Sequence, residues 1–573
     1  MFKLLAYMKN YKKEAVLGPL FKLLEALLEL LVPLVIAAVI DTGIAGGNRG
    51  YVIRMCLLLV GFGIVGLVFS ITAQYFAAKA SVGFVTKLRH ALFDHIQGLS
   101  YTELDTIGTS TLITRMTSDM NQVQSGMNLT LRLLLRSPFV VFGAMIMAFT
   151  IDVKAALIFA AAIPVLSLVV FGIMLWCIPL YKRVQRKLDG VLSATRENLT
   201  GVRVIRAFCK EEEQISRFDA CNQDLTRTQK YVGRISALMN PVTYILINLA
   251  IIWLVYTGAL RVDVGLISQG AVVALYNYIS QILVELIKLA NLIINITKSV
   301  ACGNRIQSVF EIRSSLDAPE QAPAPKDFSY AVEFDHVTLR YANAGDDSLS
   351  DISFAARPGE TIGVIGSTGS GKSSLVNLIP RFYDASAGQV LVDGINVKEY
   401  PLDDLRNRIG VVPQKAVLFK GTIRDNLRWG NPDATDDQLL EAVQTAQAGE
   451  VLAQKGGLDF ELEQGGKNLS GGQKQRFTIA RALVKHPKIL ILDDSASALD
   501  FATDAALRKA IREMPGNPTV FIVSQRTSSL QHADQILVLE DGTVVGAGTH
   551  AQLLESCPVY QEIYQSQFRK EDA

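Results

Sequence analysis

Two hydrophobic rhythms divide the chain. Before residue 300 the apolar positions gather into long, nearly uninterrupted runs at about 15–43, 52–78, 133–151, 155–180, 242–261 and 271–297. Each run approaches or exceeds the ~20 apolar residues that an α-helix needs to cross a bilayer, so six membrane-spanning helices are predicted. An even number of crossings puts both ends of this region on one side. The connections 44–51, 151–154 and 261–269 are short and carry one Lys or Arg each. By contrast Lys9, Lys12 and Lys13 precede the first run, and Lys182, Arg183, Arg186 and Lys187 follow the fourth. Basic residues concentrate on the cytoplasmic side of membrane proteins, which predicts a cytoplasmic N-terminus. Met1–Asn10 reads as an interfacial lead-in helix rather than a cleavable signal peptide, since no small-residue cleavage site follows it.

The connections 79–132 and 181–241 are long and polar, and they read as helices that continue their spans. At 317–330 the pattern changes. Pro319, Pro323 and Pro325 favour extended backbone there, a semi-rigid linker. Beyond it, short strand-like runs such as Thr361–Ile365 and Ile489–Asp493 alternate with helical patterns, which predicts an α/β domain with a central sheet and an added helical part. The expected organisation is a helical membrane domain over 1–316, a linker over 317–330 and an α/β domain over 331–573.

Composition agrees with a multi-pass membrane protein: half the residues are hydrophobic and 19% charged, with mean hydropathy +0.27, too apolar for an ordinary soluble chain. The net charge of +2 offers no electrostatic footprint for nucleic acid, so no such partner is expected. The six cysteines form no C-x-x-C pair and read as packing residues.

The α/β region carries the chemistry. Gly366-Ser367-Thr368-Gly369-Ser370-Gly371-Lys372-Ser373, with Ser374 next, follows the strand-like Thr361–Ile365. Its glycines let backbone N–H groups curl round phosphates, Lys372 can reach the terminal phosphates, and the Ser373 hydroxyl can ligate Mg²⁺. A nucleoside triphosphate with Mg²⁺ is the expected ligand. Leu469-Ser470-Gly471-Gly472-Gln473 comes about a hundred residues later, then Ile489-Leu490-Ile491-Leu492-Asp493-Asp494. The LSGGQ run resembles the signature of ATP-binding-cassette (ABC) proteins. Glu103–Gly108, Leu112–Asp119 and Glu197–Phe208 resemble the intracellular loops of ABC exporters. Over essentially its full length the chain resembles a half-subunit of such an exporter.

That resemblance implies an ATPase that drives transport across the cell membrane, surrounded by lipid, with its ATPase domain cytoplasmic. It also implies roles for residues. Tyr341 would stack on adenine, and Gln414, in Val411-Val412-Pro413-Gln414, would touch Mg²⁺. Asp493 would hold Mg²⁺ through water. Ser470, Gly471, Gly472 and Gln473 would complete the ATP site of a partner subunit, and Ser497-Ala498-Leu499-Asp500 would form the loop that crosses between subunits.

Two positions depart from the family pattern. Asp494 stands where an active cassette has the glutamate that assists hydrolysis, and Gln525, in Ile522-Val523-Ser524-Gln525-Arg526, stands where it has a histidine. Asp is one methylene shorter than Glu, so its carboxylate falls about 1.5 Å short, and a displacement of about 1 Å can cost about a hundredfold. Gln525 donates a hydrogen bond but carries no positive charge. The signature remains intact, so the expected function is the degenerate-site half of a heterodimeric exporter of amphipathic compounds: drug-like molecules, lipids or peptides. Its partner would be a homologous half-transporter with the consensus Glu and His. An ATP-gated channel or regulatory subunit, or an importer built on the exporter fold, is the alternative.

Substrate contacts are barely legible. Glu29 and Glu285 are the acids deepest in their spans. Ionisable groups there face a bundle interior or a watery path, so the two are expected either to line the translocation path or to pair with Arg136 or Lys288.

Overall fold

The computed structural model describes residues 2–321, 328–342 and 344–568. It divides into two compact units, one of residues 1–97 and 110–312, the other of residues 98–109 and everything from Arg313 on. The core of the linker, including Pro323 and Pro325, lies outside the described residues.

The first unit is helical throughout. Six helices are long and apolar enough to span a membrane: Lys3–Ile44, Arg49–Gln97, Thr109–Ile151, Val153–Thr200, Glu211–Asp263 and Gln269–Phe310. The second contains a single α-helix of 49 residues, ~74 Å long at ~1.5 Å per residue, against a hydrocarbon core of ~30 Å. The polar connections therefore extend the spans, as their composition suggests. The lead-in Phe2–Tyr11 is a 3₁₀-helix. Along the second span Ile53, Leu57, Ile64, Leu67 and Ile71 are exposed, while Ala73, Ala77, Ala80 and Phe84 are buried. An apolar surface of this kind is stable in lipid rather than water.

The deep charges pair with one another. Arg136, on the third span and 7% exposed, donates to Glu285 Oε1 at 2.7 Å and to Glu29 Oε2 at 2.6 Å. Glu285 also accepts from Ser137 Oγ at 2.9 Å and from Lys288 Nζ at 2.8 Å. Three donors thus satisfy its carboxylate, whose side chain is 3% exposed. Glu29 stays 41% exposed. The arrangement joins the first, third and sixth spans, so Glu285 serves internal pairing rather than substrate contact. Removing one partner of a buried pair strands the other charge at ~3–5 kcal/mol. Arg136→Met is therefore expected to lower the unfolding temperature of the detergent-purified protein sharply, while Lys288→Met, at a half-exposed pair, costs far less. Equal effects would show that the Arg136 bridge carries no special weight.

The second unit is built on a six-stranded sheet. Its order is Thr543–Gly548, Gln535–Glu540, Thr361–Gly366, Thr519–Val523, Ile489–Asp493, Ile409–Val412. All neighbours run parallel except the antiparallel edge strand Thr543–Gly548. Ile489–Asp493 and Thr519–Val523 are buried at every position, which explains why they read as unbroken apolar runs rather than alternating ones. A four-stranded antiparallel sheet packs beside it, with Leu349–Ala356 at its edge paired to Val332–Leu339 inside it. Helices between Ile423 and Leu483 form the added helical part. Gly98–Thr109, with its helix Tyr101–Ile107, packs in this unit. A capping box holds that helix: Ser100 N donates to Glu103 Oε2 at 3.0 Å, and the Ser100 hydroxyl bonds the same carboxylate.

Candidate functional site

Three adjacent parallel strands end side by side, and their ends carry the candidate residues. Val523 lies in register with Val364 on one side and with Asp493 on the other. The loop after Gly366, the acidic pair and Ser524-Gln525 consequently emerge together at the carboxyl edge of the sheet, where ligands of parallel α/β sheets bind. They line a cleft of about 720 Å³ with Thr368, Gly369, Gly371–Ser374 and Gln414.

The loop's glycines are required by geometry. Gly369 and Gly371 have φ of +88° and +93°, a region that side-chain-bearing residues enter at a cost. A Cβ on Gly366 would collide with the Leu539 carbonyl oxygen and the Ser370 hydroxyl. Lys372 opens the helix Lys372–Leu378, and its ammonium donates to Gly366 O at 3.0 Å and to Ser367 O at 2.5 Å. A cation over a curled loop at a helix N-terminus is a natural cradle for an anion. Ser373 Oγ donates to Asp493 Oδ1 at 3.0 Å, so two oxygen ligands of the kind Mg²⁺ selects converge at one point.

Burial shapes the charges. Asp493 is 8% exposed, and desolvation lifts its carboxyl above the usual range, with the Ser373 hydrogen bond opposing and the neighbouring Asp494 charge adding. Desolvation likewise lowers the Lys372 ammonium, against the pull of Asp494 and Asp493. Asp494 itself sits at φ +46°, a left-handed conformation that Asp tolerates better than most residues. Its Oδ2 accepts from Gln414 Nε2 at 3.2 Å. Gln525 lines the cleft, and its carbonyl accepts from Gln567 Nε2 at 2.7 Å.

The cleft thus gathers Thr368, Gly369, Gly371, Lys372, Ser373, Ser374, Gln414, Asp493, Asp494 and Gln525. Gly366, Ser367 and Ser370 shape the loop beneath it. Tyr341 stands beside the cleft, its hydroxyl donating to Ser374 Oγ at 2.9 Å. The signature residues lie elsewhere: Ser470, Gly471, Gly472 and Gln473 are absent from the lining and begin the helix Gly471–Leu483. Ser470 and Gln473 form a capping box there, with Ser470 N donating to Gln473 Oε1 at 3.0 Å. Asp500 caps the helix Phe501–Arg512, accepting from Thr503 N at 3.3 Å. The cleft also uses Asp347, Ser348, Asp541 and Gly542, which no sequence motif marked. They arrive from hairpin ends, and only the sheet order reveals their convergence.

Comparison with known proteins agrees with this architecture. The ABC transporter transmembrane region matches residues 16–286 and the ABC transporter domain matches residues 349–497. An uncharacterized ABC transporter ATP-binding protein of Mycobacterium tuberculosis (strain ATCC 25618 / H37Rv) is 37% identical over 98% of this chain and 97% of its own length. YgaD of Bacillus subtilis (strain 168), a protein named for multidrug export, is 30% identical over 98% of each. The fold matches that of a bacterial Atm1-family ABC exporter solved with ATP bound, with a TM-score of 0.81 and 22% identity over 97% of this chain and 98% of the other. Six spanning helices, an ATP-binding cassette and relatives matched along their whole length lead to one conclusion: the chain belongs to the ABC transporter family and is a membrane-embedded half-transporter of the exporter type, an ATPase by its cassette.

Proposed function

We propose that this chain is the weakly hydrolysing half of a heterodimeric exporter of amphipathic compounds, and that most of the driving hydrolysis occurs at the partner's P-loop. The observation that carries this reading is the state of the catalytic corner. The short Asp494 carboxylate is turned onto Gln414, and neutral Gln525 shares the cleft where a cationic side chain would assist. The rest of the site suits Mg-ATP. Lys372 and the loop N–H groups would hold the phosphates, Ser373, Gln414 and Asp493 the Mg²⁺, and Tyr341 the adenine. When bound, the nucleotide supplies the phosphoanhydride bond whose cleavage powers transport. This chain's residues bind and orient it well, but lack the base that would activate water.

The intact LSGGQ run supports asymmetry. Ser470 and the N–H groups opening the helix Gly471–Leu483 present donors to an anion from outside this cleft, which suits an ATP held by a second half-transporter. The P-loop domain would lie on the cytoplasmic side of the cell membrane, consistent with the basic residues flanking the first and fourth spans. The multidrug relative favours drug-like or lipid-like cargo. Purified alone and reconstituted, the chain should show little ATPase activity, and co-expression with a homologous half that carries the consensus Glu and His should raise turnover by at least an order of magnitude. Brisk turnover by the chain alone would overturn the proposal.

A further inference from the structure

The helix Pro558–Phe568 ends against the loop that carries Gln525. Proline suits its first turn, where a backbone N–H would find no intrahelical partner. Tyr560 is fully buried and is hydrogen-bonded through its hydroxyl to His550 Nδ1 at 2.7 Å. Val559 and Ile563 pack against the apolar core that contains Val520, Ile522 and Leu530. Gln567 follows Tyr560 by seven residues, two helical turns, so the face that buries Tyr560 also carries Gln567.

Gln567 closes a clasp of three hydrogen bonds. Its Nε2 donates to the Gln525 carbonyl at 2.7 Å, while its Oε1 accepts from Thr527 N and from Thr527 Oγ1, both at 2.9 Å. Thr527 is fully buried and opens the 3₁₀ turn Thr527–Ser529, so one side chain ties Gln525 to a fixed anchor. A primary amide can donate and accept in this way, whereas a carboxylate of the same length has no donor. Between the two clasped residues, the Arg526 guanidinium lies 5.1 Å from the centroid of the Phe501 ring. The loop is therefore gripped by two helices. Its other end is set by the sheet: Asp494 N donates to Val523 O at 3.0 Å, and Ser524 N donates to Val364 O at 3.1 Å. Gln525 comes next and lines the cleft together with Ser373 and Asp493, the pair suited to Mg²⁺. Magnesium in such sites bridges the last two phosphates of the nucleotide, so Gln525 stands at the terminal-phosphate end.

We infer that Gln567 is a positioning residue for the nucleotide site: by clasping the backbone on both sides of Arg526, the C-terminal helix holds the Gln525 amide where it donates to the γ-phosphate. The inference rests on the P-loop cleft being the ATP site and takes nothing from the rate of hydrolysis there. Its consequence is a preference for triphosphate over diphosphate that depends on a side chain outside the cleft. A diphosphate lacks the group that Gln525 reaches, so its binding is indifferent to the clasp.

The experiment measures the equilibrium affinity of the detergent-purified full chain for ADP and for the non-hydrolysable β,γ-imido analogue of ATP, both with Mg²⁺, by displacement of a labelled nucleotide. With no partner half present and no turnover, the signal comes from this chain's P-loop. Gln567→Ala should weaken the triphosphate analogue about tenfold, the scale of one hydrogen bond to a charged group, and leave ADP within about twofold. Gln567→Glu keeps the acceptor for Thr527 but has no donor for the Gln525 carbonyl. It should reproduce the loss with the buried anchor intact, and it serves as the test if Gln567→Ala is unstable. Gln525→Ala should cost as much, and adding Gln567→Ala to it should change nothing further, because the two act as one unit. A loss shared equally by ADP, no loss in either Gln567 variant, or full additivity with Gln525→Ala overturns the inference. Lys372→Ala separates the two levels of argument. If it weakens both nucleotides while the Gln567 variants match wild type, the P-loop reading stands and the positioning role falls. If it leaves binding untouched, both fall.

Discussion

Restoring the two departed positions, Asp494→Glu and Gln525→His, is expected to raise hydrolysis at this chain's own P-loop by about a hundredfold. General-base assistance is typically worth about 10²–10⁴-fold, or ~2.7–5.5 kcal/mol of barrier, and the remaining site is in place. Ser373 already meets Asp493, Lys372 already lies over the loop, and Gln414 already donates to the residue-494 carboxylate. The extra methylene extends the reach of that carboxylate by about 1.5 Å. The gain must be read where the other site is silent, because a competent partner would mask it. A complex in which this chain also carries Ser470→Arg provides that background. A double variant no faster than its parent would show that the limitation lies outside this catalytic corner.

Ser470→Arg on its own should abolish nearly all steady-state turnover of the complex while leaving ATP binding at this chain's P-loop intact. Ser470 does not line its own cleft. It opens the helix Gly471–Leu483 with its hydroxyl and N–H engaged in a capping box, at the end of a helix whose dipole and free N–H groups favour an anion. An arginine there removes the cap at about 0.5–2 kcal/mol and fills the space that a partner's nucleotide would need. Lys372→Ala should do the converse, weakening nucleotide binding here with a smaller loss of turnover. ATPase rates together with photo-crosslinking of labelled nucleotide to each subunit separate the two. Should Lys372→Ala prove the more damaging to hydrolysis, the division of labour between the subunits is reversed.

The membrane helices and the P-loop were legible for the same reason: each is written in contiguous residues. A bilayer demands a long apolar run, and a phosphate cradle demands glycines at fixed spacing, so the runs and Gly366–Ser373 announce themselves. What stayed hidden depends on residues far apart in the chain. The bridge from Arg136 to Glu29 and Glu285 could be anticipated as a pairing, but not its division, in which one carboxylate is sealed by three donors and the other stays half exposed. Tyr341 carried an expectation of base stacking, yet nothing near it in sequence pointed to Tyr383 or Asp105. Tyr383 packs against it from within the same domain, and Asp105, which accepts from the Tyr383 hydroxyl, arrives because the segment 98–109 folds with the cassette rather than with the spans it joins. Asp347, Ser348, Asp541 and Gly542 reach the cleft through neighbouring hairpins whose turns carry ordinary turn residues.

The central claim is tested most directly by the chemical state of nucleotide retained at this chain's P-loop during turnover. A complex containing a catalytically competent partner would be cycled with α-phosphate-labelled ATP, stripped of free nucleotide, crosslinked, and the labelled nucleotide on each subunit analysed as ATP or ADP. The account predicts intact ATP on this chain through many partner turnovers, with ADP confined to the partner. Equal proportions of ADP on both subunits would contradict it.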